Sequence, residues 1–533
     1  MTLRAERPAA DGEGVSAEHF TRAAERLIRR FARETNLLIA GRPVCVVRRG
    51  GGSRVGADRL AERLERMLRA CGARDGRAGD TGLIEFDLTG ASDPVARPES
   101  VPIRLDGEPL PDRGDAAGRI AFARERMLVS AAFAQRLDVE GVRIGVAMVL
   151  EPKTAVLALL LRSAGAIVSV YAHPDEIDLG VAEALRAHGI AVSGDPALLG
   201  AEERAAALAF LRGADAGRGT GTGAGTGAGS DDAGLDVLLD DGAHLIRLAH
   251  EDLPEHVTRW IGVCEETTSG LTPLRAMARA GILRTAVMAV NDAATKTRFD
   301  NRYGTAQSCV FAIADALDAA GESVRDRPAV VVGYGPVGAG VAAYLRALGA
   351  VVSVVERDPV RALEALHAGF GVARLDDCVD GALVVSAAGV PGTIPARVLA
   401  RAAVVAVAGG VPGEIVEAAP TDEEPANTTP APAPRARILG GGGAINITAA
   451  EGNPIEIMDL SFAVQLAALD RLVRVRPGVG VHALPAHLDD EVARQALRAR
   501  GIPIDPAHAV ATPESSDWRS PRYLATAPGE ATR

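Results

Sequence analysis

The chain has 533 residues, 47% of them apolar and 24% charged, with a net charge of −11 and a pI near 5.5. That length predicts two or three domains, and the acidic balance argues against a nucleic-acid binder, which shows a basic face. No apolar run reaches the length of a membrane span, the N-terminus "MTLRAERPAADGEG" has no hydrophobic leader, and five scattered cysteines form neither a zinc pattern nor a disulfide framework; a soluble protein of a reducing cytoplasm is expected, without a metal.

In chain order, "NLLIAGRPVCVVRRGGGSRVGADRLAERLERMLRACGA" reads strand, glycines, helix, glycine. Its glycines lack G-x-G-x-x-G spacing, so a packing or oligomerisation lobe is expected there. "GVRIGVAMVL" is a strand entering the helix "KTAVLALLLRSAG", which Gly165 closes, and "AIVSVYA" is the next strand. The Gly/Thr/Ala tract 213–232 and the Pro-rich segment 419–437 have little to bury and read as disordered surface insertions. Between them, "LDVLLDDGA" is a strand delivering Asp240 and Asp241 to a loop. This strand–helix alternation predicts an α/β protein of doubly wound parallel sheets, with sites at the carboxyl ends of strands.

Only two of the 58 Lys and Arg residues are lysines, Lys153 and Lys296. Where a bare positive charge suffices, the chain uses Arg, which cannot lose its proton. Lys296, in "NDAATKTRFDNRYGTAQS" (291–308), therefore reads as an amine kept for chemistry. Asp300, four residues on, shares its helix face. Burial lowers a lysine's pKa and an adjacent carboxylate raises it, and the sequence leaves open which prevails.

"PAVVVGYGPVGAGVAAYLRALGAVVSVVERD" (328–358) carries the strongest single signal. A buried strand runs into Gly333, Gly335 and Gly338, a helix follows, and a second strand ends at Glu356, 18 residues after the last glycine. Glycines give a tight turn and close backbone approach, the helix N-terminus (Pro336, Val337) receives a pyrophosphate, and the carboxylate holds a ribose hydroxyl. That negative charge would repel a 2′-phosphate, so NAD is expected rather than NADP.

Taken together, 291–308, the 328–338 loop, "EETTSG" (265–270) and "LLDDGAH" (238–244) resemble the S-adenosyl-L-homocysteine hydrolase family, in order from about residue 116 to the C-terminus. The resemblance implies an N-terminal extension (1–115), a substrate domain (116–306), an NAD-binding Rossmann domain (307–451), a return to the substrate domain (452–499) and a tail (500–533). It also implies a homo-oligomer, tetramer or dimer, and a tightly held NAD recycled in each turnover. In the family's mechanism the sugar 3′-carbon is oxidised, the 4′ proton is lost, the 5′ substituent leaves, water adds and the ketone is reduced. By motif match Lys296 and Asp300 handle the 3′-hydroxyl, Glu266 binds sugar hydroxyls, Asp241 is an acid/base near the 5′ position, and Asn301 lies beside the reacting carbons. Thr267, Thr268, Ser269, Asn291 and Asn446 match positions around the nicotinamide.

The departures cluster. The family's "LHMTVET" reads "VLEPKT", so a histidine near the 5′ oxygen becomes Val149 and the adenine-pocket threonine and glutamate become Glu151 and Lys153. The gate histidine becomes Gly410, a second adenine-pocket histidine becomes Asn453, and a cysteine near the sugar becomes Thr305. Either Glu151 supplies the lost acceptor, which keeps adenine, or the base differs. Residues for oxidation are kept, while those for the base, the gate and the leaving group have changed. The preferred expectation is a nucleoside dehydratase (lyase) that lets the unsaturated intermediate escape, by analogy with antibiotic nucleosides of the angustmycin type. The rivals are adenosylhomocysteine hydrolysis itself, addition of another nucleophile, and an inactive NAD-binding regulatory paralogue. The tail "DWRSPRY" loosely matches the family's, with Arg519 for a lysine and Tyr523 near the expected tyrosine.

Overall fold

The computed structural model describes residues 16–48, 55–89, 91, 93–213, 234–411, 413–416 and 436–505. The C-terminal tail from 506 on and almost all of the two expected insertions lie outside the described residues. The second insertion ends earlier than expected, because Arg437 already pairs with Val404 in a sheet.

Three sheets organise the chain. The first contains β1 (Pro43–Val47), β2 (Arg74–Asp75), β3 (Ile84–Asp87), β4 (Ile103–Leu105) and β5 (Glu108–Pro109) in the order 2-1-3-4-5. The second contains β6 (Arg143–Ala147), β7 (Ile167–Tyr171), β8 (Ala191–Ser193), β9 (Val237–Asp240), β10 (Gly262–Glu265) and β11 (Ala286–Ala289). The third contains β12 (Pro328–Val332), β13 (Val351–Val355), β14 (Gly371–Val372), β15 (Leu383–Ser386), β16 (Val404–Val407) and β17 (Arg437–Ile438), in the order 14-13-12-15-16-17. The chain then returns, and β18 (Gly480–Ala483) completes the second sheet as 18-11-10-9-6-7-8.

Every pairing in the second and third sheets is parallel. Their inner strands, such as β9 "VLLD" and β15 "LVVS", are buried throughout, as sheets covered on both faces require. In each sheet the winding reverses once, between β6 and β9 in the second and between β12 and β15 in the third. Crevices open at such reversals, at the carboxyl ends of the strands. Residues 148–153 and Asp241 lie at the first reversal, and the Gly333–Gly338 loop lies at the second. The expected doubly wound α/β architecture is observed.

The described part of the first 115 residues packs onto this frame through side chains the sequence reading did not single out. Helix Ala17–Thr35 buries Phe20, Ala24, Leu27, Ile28 and Phe31 at helical spacing. Beyond it, residues 36–39 wedge between helix Thr305–Ala319 and the loop before helix Ile455–Val475. Asn36 Nδ2 donates to the Glu451 carbonyl at 3.1 Å, and Ile455 N donates to the Asn36 carbonyl at 2.9 Å. Gln307 clamps the same segment, accepting from Ile39 N at 2.8 Å and donating to the Leu37 carbonyl at 3.0 Å.

Candidate active site

Lys296 is 3% exposed and stands at the start of an irregular helix. Residues Thr297–Gly304 form a π-helix rather than the α-helix the spacing suggests. A π-turn stacks residues five apart, and such turns recur at functional sites. Lys296 therefore meets two following residues: its Nζ lies 2.8 Å from Asp300 Oδ2 and donates to Asn301 Oδ1 at 3.0 Å. It also reaches Asn291 Oδ1 at 3.3 Å and stands 3.8 Å from Glu266 Oε1. Burial works against the charged amine, but Asp300 and Glu266 outweigh it and hold the pKa above the ordinary lysine value. The balance the sequence left open falls to the carboxylates.

Glu266 follows β10 and is buried; burial lifts its pKa to about 7, with Lys296 pulling the other way. One oxygen accepts from Gln465 Nε2 at 2.7 Å, and the other, Oε1, has no hydrogen-bond partner. Gln465 was not anticipated, although a lone amide in the apolar run "SFAVQLAAL" was a visible signal. Asp241 follows β9, and its pKa is raised by burial against the opposing charge of Lys296. The neighbouring Asp240 and Glu265 are structural: Asp240 accepts from Ile246 N at 2.9 Å, and Glu265 accepts from Gly242 N, Ala243 N and Thr267 N at 2.9–3.0 Å.

On the other side of Asp300, Asn453 Nδ2 donates to Asp300 Oδ1 at 2.5 Å and to Thr305 Oγ1 at 3.0 Å, while Asn446 Nδ2 donates to Asn453 Oδ1 at 3.1 Å. Asn446 and Asn453 thus form a chain of amides, braced by Thr305, leading to Asp300, the carboxylate paired with Lys296. Thr267 caps helix Thr268–Arg279 and gives its hydroxyl to Glu265 at 2.7 Å; Ser269 donates to Thr267, and Asn291 donates to Thr268 at 2.8 Å. Thr267 is thereby committed to the protein, whereas Thr268 is exposed.

Lys153 is not a surface lysine; it is fully buried. Its Nζ lies 2.6 Å from Glu151 Oε2 and donates to the Glu451 carbonyl at 2.6 Å. Glu151 is the N-cap of helix Pro152–Ser163, accepting from Lys153 N at 3.0 Å and Thr154 N at 3.3 Å. Burial raises the Glu151 pKa and Lys153 opposes it. Val149 is half-buried in the loop after β6, and Gly410 is exposed with φ +70. Its neighbour Glu414 is buried and bonded to Ser386.

The third-sheet crevice fits a dinucleotide. Gly333 has φ +96, and a Cβ on Gly338 would overlap the Gly333 carbonyl oxygen. At Gly335, by contrast, a Cβ would meet only the tip of Arg361, at 3.7 Å, so this is where a pyrophosphate can approach the backbone. Gly335 caps helix Pro336–Ala347, whose first residues Pro336 and Val337 are exposed and half-buried. Glu356, just past β13, accepts from Tyr334 N at 2.6 Å and Asp358 N at 3.0 Å, and these and the Arg357 amide hold its pKa below the usual value despite partial burial. An ionised carboxylate at that place suits an unphosphorylated ribose. The same helix packs on the Lys296 segment: a Cβ on Gly340 would overlap the Arg302 carbonyl, so only glycine allows the two crevices to approach this closely.

Among the described residues no cluster of His, Cys, Asp and Glu suits a metal ion, no helix is long and apolar enough to cross a membrane, and all five cysteines are free.

A sequence model of the S-adenosyl-L-homocysteine hydrolase family matches residues 228–508. The chain is 36% identical over 411 residues to an adenosylhomocysteinase of Archaeoglobus fulgidus, covering 73% of this chain and 94% of that protein. It is 34% identical over 422 residues to an S-inosyl-L-homocysteine hydrolase of Methanopyrus kandleri, covering 75% and 93%. An adenosylhomocysteinase of Thermoplasma acidophilum is 32% identical over 408 residues, covering 73% and 94%.

Proposed function

Because the chain belongs to the S-adenosyl-L-homocysteine hydrolase family, we propose that it oxidises a nucleoside at the sugar 3′-carbon, removes the neighbouring proton and expels the 5′-type hydroxyl as water, releasing an unsaturated nucleoside. The observation that carries this reading is the buried Lys296 amine, ringed by Asp300, Asn301, Asn291 and Glu266. When bound, NAD supplies the hydride acceptor and donor for the 3′-carbon. The chain's own residues do the rest. Asp300 and Glu266 bind sugar hydroxyls, and in doing so are drawn from Lys296, whose amine then takes the hydroxyl proton. Asn301 and Asn291 fix the amine's direction. Asp241, a stronger base because it is enclosed, takes the proton of the neighbouring carbon.

The base differs from adenine in this reading. Both Glu151 oxygens are engaged by its own helix and by Lys153, so the pair offers no free acceptor to an exocyclic amine. Lys153 has a further donor, which suits a base carrying a carbonyl, and a pocket built around one pattern rejects the other by as much as about 10⁴-fold. The relative named for S-inosyl-L-homocysteine lends weight to a 6-oxopurine.

A second reading, hydrolysis of a nucleosyl-homocysteine thioether, is favoured by the names of the relatives. One experiment separates the two. Purified protein is incubated with adenosine, inosine, uridine and S-adenosyl-L-homocysteine, following NADH absorbance and product mass. The proposal expects transient NADH and products lighter by one water; rapid homocysteine release with no dehydrated product contradicts it, and no NADH with any nucleoside points to an inactive paralogue.

A further inference from the structure

Val149 leaves the leaving-group end without the imidazole that the family resemblance places there, yet two other imidazoles stand nearby. β7 lies beside β6, and β6 beside β9, with Tyr171, Ala147 and Asp240 in one register row. Just past that row, three neighbouring strands deliver His173, the 148–151 segment and Asp241 to the same edge. His173 Nδ1 bonds Glu203 Oε1 at 2.9 Å, from helix Ala201–Leu211. Its ring is held edge-on by Tyr171, at 5.3 Å between centroids, and by His244, at 5.2 Å. His244 turns back over Gly242, where φ is +77 and a Cβ would collide with the His244 ring, so this loop needs glycine to place the second imidazole. A carboxylate on Nδ1 fixes the tautomer and ring direction, leaving Nε2 to act; that is how general acid–base histidines are built.

We propose that His173, oriented by Glu203, is the general acid that protonates the departing 5′ oxygen. The proposal rests on the oxidation–elimination reading above. In the step, the C4′–H bond breaks toward Asp241 and its electron pair forms the C4′=C5′ bond. The C5′–O bond breaks, and the oxygen takes a proton from His173 Nε2 to leave as water. One proton passes from carbon to water through solvent-exchanging groups, and the 3′ carbon begins and ends the turnover at the same oxidation level. The charges are compatible: His173 is among the groups acting on Asp241, and burial, with Asp241 and Asp175, pushes Glu176 up to about 8, so this mouth does not gather uncompensated negative charge.

The test uses the full chain loaded with NAD. From adenosine, inosine and uridine, the nucleoside whose 4′ hydrogen the wild type exchanges fastest in D2O is chosen, together with its 5′-chloro analogue, whose chloride leaves without a proton. His173→Gln is expected to slow water loss about 100-fold, while 4′ deuterium exchange and chloride release stay within about twofold. Glu203→Gln is expected to do the same more mildly, which covers a misfolded His173 variant. Water loss at the wild-type rate in His173→Gln, or the same pattern produced by Glu176→Gln in its place, overturns the assignment. Absence of any wild-type exchange overturns the oxidation reading itself, a different result.

Discussion

The chain's two lysines are both buried beside carboxylates, yet their surroundings differ in what the carboxylate is otherwise doing. Glu151 is held by backbone amides at the start of a helix, so its bond to Lys153 is part of the frame. Asp300 is held by side chains, Lys296 and Asn453, whose hydrogen bonds a sugar hydroxyl can replace without disturbing any backbone group. A buried ion pair is poor evidence of stability by itself, because desolvation offsets much of the attraction. Its partners show whether it is built to stay or to exchange. The Lys153 pair belongs to the frame, and in the proposed reaction the Lys296 pair is the one that exchanges.

The largest effect is expected at Lys296. Lys296→Arg keeps the charge and removes the base, so single-turnover 3′-oxidation should fall by about 10³-fold while bound NAD, measured after denaturation, is unchanged. Near-normal turnover would put the amine outside the chemistry. The next largest effect is on stability. Lys153→Met leaves Glu151 buried without its cation and should cost about 3 kcal/mol of folding free energy, read by denaturant unfolding, while NADH formation persists with altered base preference. Loss of oxidation with unchanged stability would reverse the roles assigned to the two lysines.

The surroundings of Lys296 also carry a pH signature. Glu266 is raised from 4.5 to about 7 in the folded protein, so between those values the folded state binds more protons than the unfolded one, and this group makes stability fall as pH rises through that window, with no further change above it. The slope reaches at most about 1.4 kcal/mol per pH unit. Glu266→Gln should remove that contribution, seen as a flatter stability–pH profile in the variant than in the wild type from pH 4.5 to 7, and should remove a transition near pH 7 from the oxidation rate. Matching profiles for the two proteins would contradict the assignment. The smallest effect is expected at Asn36, which ties the N-terminal lobe to the loop carrying Asn453. Asn36→Ala should cost about 1 kcal/mol and raise KM more than it lowers kcat; an unchanged KM would separate the lobe from the site.

The legible parts of this molecule were those written locally. Strand, glycines, helix and terminal carboxylate lie within 328–358, and the Lys296–Asp300 contact follows from four-residue spacing, so both could be read directly. What could not be read is held by distant partners. The π-turn that brings Asn301 to the same amine depends on packing against the helix of Gly340, not on any signature in "TRFDNRYG". Glu203 meets His173 from 30 residues away, and residues 36–39 meet a loop more than 400 residues on. The depth of Lys153 was not legible either, because burial of a helix start is decided by what covers it. That cover is the 451–452 loop, which the N-terminal lobe in turn holds.

The account depends on oxidation at one sugar carbon making its neighbour acidic under the control of Lys296. Deuterium wash-in from D2O at the 4′ position of recovered, unreacted nucleoside, measured by mass spectrometry and NMR, tests this most directly. The account predicts incorporation with the wild type and none with Lys296→Arg. Turnover of a nucleoside that keeps its 4′ hydrogen, or equal exchange in both proteins, would contradict it.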